Sequence, residues 1–236
     1  MPFFDDTGAR TEERHPLWSA FSIVADQLER LIVLNVVWAV QWIPALIALG
    51  WSELPAVIRV VLIGYSLAAY APATIVLYGM ARSAADGEPL INHMAVDLLK
   101  QDGVRAAKAL VPLVGLIGAL VLASSVENLL ISAAAQLGLL LLAVISQYWG
   151  ALIAAQPVDH PVTLLRESAR LVWRYPFPTM LLTGAVAVAV VLGVISIGGL
   201  FLIVPVVIAL LQTEMLRYLR EKGASSYGTA SGSKTR

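Results

Sequence analysis

Apolar residues fall into six long runs, at roughly 31–50, 57–81, 107–124, 129–155, 177–194 and 197–216. Each run is close to the roughly 20 residues that a helix needs to cross about 30 Å of hydrocarbon. The polar stretches between them come in two kinds. Short ones, GWSELPA at 50–56, SSVEN at 124–128 and SIGGL at 196–200, join consecutive runs and predict three tight antiparallel hairpins. Longer ones precede each hairpin and carry apolar residues at helical spacing: Phe21, Val24 and Leu28; Met94, Leu98 and Val104; Leu164, Leu165, Ala169, Leu171 and Val172. The pattern predicts an all-α membrane protein of six transmembrane helices arranged as three helical hairpins, each preceded by a cytoplasmic amphipathic helix that lies along the interface.

A proline opens each of these longer stretches. Pro16, Pro89 and Pro161 recur 73 and 72 residues apart, and proline suits a first helical turn because its missing N–H would have no partner there. The spacing predicts a threefold repeat with units at about 16–88, 89–160 and 161–222. Each unit contributes two spans, so the copies share one orientation and are related by an axis near the membrane normal. Residues 1–222 form a single six-span domain, and the small, polar stretch GASSYGTASGSKTR at 223–236 is expected to be a disordered cytoplasmic tail.

Composition strengthens the membrane assignment: 58% of residues are hydrophobic and 14% charged, with a mean hydropathy of +0.79. Net charge is zero, which gives no global signal for nucleic acid, but the charge is unevenly placed. Of the 16 Lys and Arg residues, all but Arg59 lie before the first run, between the second and third, between the fourth and fifth, or after the sixth. The positive-inside rule then predicts an inner-membrane protein with both termini and both long connections cytoplasmic. The N-terminal MPFFDDTGARTEER is acidic and has no apolar core, so it does not read as a cleaved signal peptide.

Candidate chemistry is sparse. There is no Cys, hence no disulfide or thiolate site, and no glycine loop built to cradle a phosphate. His93 and Asp97 are spaced i, i+4 but stand without further ligands, so they read as a solvated helix face, and no metal or cofactor is expected. Within the apolar runs the polar residues Asn35, Gln41, Gln136, Gln147 and Gln212 are candidates for hydrogen bonds that tie helices together. Arg166, Arg170 and Arg174 form a like-charge row at successive i, i+4 positions, which points to an anionic neighbour, either lipid headgroups or an acidic partner. No residue constellation calls for an enzyme.

Two stretches, LNVVWAVQWIPALIALG and APATIVLYGMARSAADGEPLINHMAVDLLKQDGVRAAKAL, resemble the YesL-like family of bacterial multi-pass membrane proteins. The likeness lies in an LN-hydrophobic-W start, a late proline in the first span and a Pro-Ala-Thr motif in the second, and it covers mainly 31–110. It marks Asn35, Pro44, Pro72 and Thr74 as family-pattern positions. The resemblance implies a non-enzymatic membrane accessory or assembly protein, associated with carbohydrate ABC transport. Its expected partners are the lipid bilayer and other membrane proteins such as a transport complex. A small transporter or permease subunit is the alternative.

Overall fold

The computed structural model describes residues 20, 23, 28–88, 90, 92–196 and 203–231. Every regular element among them is helical: α1 (Leu28–Val40), α2 (Ile43–Gly50), α3 (Ala56–Ala85), α4 (Asn92–Ser124), α5 (Leu129–Ser146), α6 (Trp149–Ala155), α7 (Pro161–Arg174), α8 (Pro176–Ile195) and α9 (Val204–Ser231). Four stretches are long and apolar enough to cross a membrane: Ala56–Ala85, His93–Ser124, Leu129–Ala155 and Pro176–Ile195. The pair α1 and α2 makes a fifth if its bent halves count as one span. The chain is a helical membrane protein.

Local sequence explains most of the boundaries. α1 and α2 meet at an angle of 44° because Pro44, in the first turn of α2, cannot donate to the carbonyl four residues back and its ring crowds that carbonyl. Asn128 caps α5, its side-chain oxygen accepting from the backbone N–H of Leu130 at 3.1 Å and Ile131 at 3.3 Å. α7 starts on Pro161 at the first turn and ends at Tyr175, whose backbone is driven out of the helical region by the following Pro176. Pro72 lies inside α3 without ending it.

α3 is the hub of the bundle. It packs on α4, α2, α6 and α9, and its Ala71, Ile75, Leu77, Ala81 and Ala84 join a core with Leu110 of α4, Leu152 and Ile153 of α6, Leu164 of α7, Leu182 of α8 and Leu210, Leu211 and Leu219 of α9. Glycines let two of these contacts close. A Cβ at Gly150 would overlap the Tyr78 ring, and one at Gly79 would sit 2.7 Å from Leu98 Cδ1.

One expectation is revised, and the described residues bear on a second. The amphipathic stretch after Pro89 is not a separate interfacial helix, because α4 runs unbroken from Asn92 to Ser124. Its Arg105–Leu110 segment, rich in Ala, Lys and Leu, favours helix, and nothing there stops it. The sixth apolar run does not qualify as a span among the described residues. 197–202 lie outside them, and α9 soon meets Glu214, Arg217, Arg220 and Glu221. α9 continues as helical backbone to Ser231, as extending an existing helix avoids the cost of nucleation, and 232–236 lie outside the described residues. Pro16, Pro89 and the rest of the first amphipathic stretch, apart from Ala20, Ile23 and Leu28, fall outside the described residues.

Candidate functional site

The polar groups of the spans mostly find partners inside the chain. Ser66 repairs the bend in the first span: its hydroxyl donates to the Gln41 carbonyl at 2.9 Å and accepts from the Ala45 N–H at 3.2 Å. Those are the two backbone groups that would bond each other in an unbroken helix, so Ser66 stands in for the missing bond. Tyr78 Oη donates to Gln212 Oε1, joining α3 to α9. Gln147 Nε2 donates to Thr183 Oγ1 at 2.8 Å, and Thr183 passes its proton to the Thr179 carbonyl. Thr179 spends its own hydroxyl proton on the Tyr175 carbonyl, so the 2.9 Å contact with Tyr148 has Tyr148 as donor.

Of the residues singled out in the sequence, Asn35, Gln41, Gln147 and Gln212 are buried. Among the described residues, Gln41 nevertheless has neither side-chain amide atom hydrogen-bonded. Gln136 differs from all of these: it lies exposed on α5, and no side-chain hydrogen bond ties it to another helix among the described residues. Pro44 and Pro72 have the helix-bending and helix-interior roles given above, and Thr74 is buried with its hydroxyl on the Tyr70 carbonyl at 2.7 Å.

Near the bend lies an apolar cavity of about 400 Å³. Trp38, Trp42, Tyr70, Thr74 and Tyr78 line it from α1 to α3, with Val190 of α8 and Val204, Pro205 and Ile208 around α9. Trp42 stacks edge-on against Tyr70 at 5.7 Å and tilts against Trp38 at 6.1 Å. The indole N–H groups of Trp38 and Trp42 are buried with no acceptor among the described residues.

Basic residues from separate connections converge at one end of the bundle. Arg82 donates to the Ala154 carbonyl at 2.8 Å, Arg217 pairs with Asp86 at 3.2 Å, and Arg105 pairs with Asp102 at 2.9 Å and reaches Asp159 at 3.9 Å. Arg59 begins the same helix that Arg82 ends, about 35 Å away along its axis. Arg166, Arg170 and Arg174 are all exposed on α7, while Leu164 and Ser168 face the core. Only Arg170 and Arg174 of this row line a second cavity, of about 260 Å³, which they share with Glu167, Tyr175 and Arg220 of α9. Sequence spacing did not single out Arg220, because its neighbours in space are some fifty residues away in the chain. For the same reason the partners of Ser66 and of Gln212, itself a candidate from the sequence, were not legible.

No family model, curated protein or solved structure matches this chain.

Proposed function

We propose that the chain is a non-enzymatic accessory or assembly protein of the inner membrane, with both termini cytoplasmic, that works beside a transport complex. One observation carries this reading: Gln136 sits on the outer surface of a span, about 10 Å along the helix from Leu129, among the exposed Ala133, Leu137 and Leu140. An amide in hydrocarbon favours hydrogen bonding to a neighbouring helix, and the chain supplies none at this position among its described residues. The Leu129–Ala155 span is also the least self-covered, with 11% of its apolar window buried against 28% for Ala56–Ala85. Its outer face is therefore available to a helix of another protein. The basic residues gathered at one end support the orientation, and the YesL-like resemblance of 31–110 supports the association with carbohydrate import. In this reading the apolar run at 197–216 completes a sixth crossing, and the three hairpins follow one parallel threefold plan.

Affinity purification from native membranes in mild detergent tests it. A stoichiometric membrane-protein partner is expected with the wild-type chain. Recovery of the chain alone, together with solute movement in liposomes, would instead establish the second reading, a small transporter or permease subunit. That alternative is favoured by the bent first span and by the aromatic cavity beside it, since broken helices with free polar groups are how transporters build substrate sites.

A further inference from the structure

The row of arginines on α7 does not act as one surface. Arg166 does not line the cavity between α7 and α9, whereas Arg170, Arg174 and Arg220 do. Glu167 is the one carboxylate among the residues that line it. Neither Arg170 nor Arg220 has an ion-pair partner among the described residues, and Arg82, the next cation, is engaged by the Ala154 carbonyl and Asp86. Burial, and after it the charge of Arg82, hold the Arg220 guanidinium below its ordinary value. A guanidinium keeps its proton at any working pH, so this marks a cation short of counter-charge rather than a neutral group.

The surroundings place the cavity at the level of lipid headgroups. α7 passes into the Pro176–Ile195 span through the single residue Tyr175, and Arg174 lies over the Tyr175 ring at 5.5 Å. Trp173 is 89% exposed, and Phe177 and Met180 project from the first turns of the span. Exposed aromatic residues at the end of a span sit where hydrocarbon gives way to headgroups. Arginine forks match phosphate oxygens two at a time.

We propose that this cavity binds the phosphate of an anionic phospholipid in the leaflet on the arginine-rich side, held between Arg170 of α7 and Arg220 of α9 with Arg174 beside them. The site stands with either reading above, because it requires nothing of Gln136 or of the aromatic cavity. A soluble phosphate ester offers the same chemistry, and the test separates the two sources.

The full chain, delipidated in detergent, is titrated with phosphatidylglycerol or phosphatidylcholine, and bound lipid is counted by native mass spectrometry. A parallel titration uses glycerol phosphate. Wild type is expected to retain phosphatidylglycerol selectively. The double variant Arg170→Gln, Arg220→Gln should lose about tenfold or more in affinity, while Arg166→Gln on the same helix stays within about twofold. Glu167→Gln, which removes the one carboxylate, should bind more tightly, and the double lysine variant should keep part of the affinity. Glycerol phosphate binding with the same variant pattern would assign the site to a soluble ester. The proposal is overturned if Arg166→Gln weakens binding as much as the double variant does, since the charge would then act diffusely. It is equally overturned if the double variant, folded by its thermal midpoint, keeps its lipid, or if Glu167→Gln changes nothing.

Discussion

α3 and α5 are both apolar helices of spanning length, yet they handle polar groups in opposite ways. α3 is packed on several sides, and its Ser66, Thr74 and Tyr78 each have a hydrogen-bond partner within the chain. The described polar groups of α5 divide: Asn128 and Ser146 make local bonds near its ends and Ser132 donates to the Ser124 carbonyl at the end of α4, while Gln136 has no hydrogen-bond partner among the described residues. In hydrocarbon both situations cost free energy unless a partner is found. The inner helix finds it in its own fold; in the proposed reading the outer helix finds it in another protein. The contrast separates polar residues bonded within this fold from Gln136, which in the proposed reading bonds to another protein.

Substitutions on the α3 side should act on stability, beginning with the most severe. Gly150→Leu drives a side chain into the Tyr78 ring and with it strains the Tyr78–Gln212 bond. A loss of at least about 3 kcal/mol is expected, combining overpacking with a broken buried hydrogen bond. Unfolding in mixed micelles measures it, and a near-wild-type midpoint would mean that α3 and α6 are not pressed together. Tyr78→Phe should cost less, about 1–3 kcal/mol, because it leaves the buried Gln212 oxygen without its donor. Thr183→Val removes the acceptor of Gln147 and should cost about 0.6–1.7 kcal/mol, the range of interhelical hydrogen bonds in membranes. Gln136→Leu is expected to change the stability of the isolated chain by no more than about 0.5 kcal/mol. A large loss there would show that Gln136 bonds within its own fold and would erase the contrast.

The two stretches that follow Pro89 and Pro161 show what was legible in the sequence. Both have apolar residues at helical spacing, and both are helical. The second is a separate helix because Tyr175-Pro176 breaks it off from the span, a signal plainly written in the residues. The first fuses with its span because no such signal occurs between Asn92 and Leu110, and periodicity alone does not distinguish one long helix from two. Helix class and the strongly apolar segments could be read because hydrophobic length is a local property. The cavities could not. Arg170 and Arg220, or Trp42 and Tyr70, meet only through packing of helices distant in the chain, and single-sequence pattern carries no information about such pairings. Gln136 was legible as a polar residue in a span, but not as the one facing outward, because α5 is apolar on every side.

The central claim is that Gln136 bonds to a helix of another membrane protein. The most direct measurement compares wild type, Gln136→Asn and Gln136→Leu, each expressed at native level and purified from native membranes, by the amount of co-purifying partner per chain. The account predicts that the partner is retained by wild type, kept in part by the asparagine variant, whose amide can still bond, and lost from the leucine variant while the chain itself stays folded. Full retention of the partner by Gln136→Leu would contradict it.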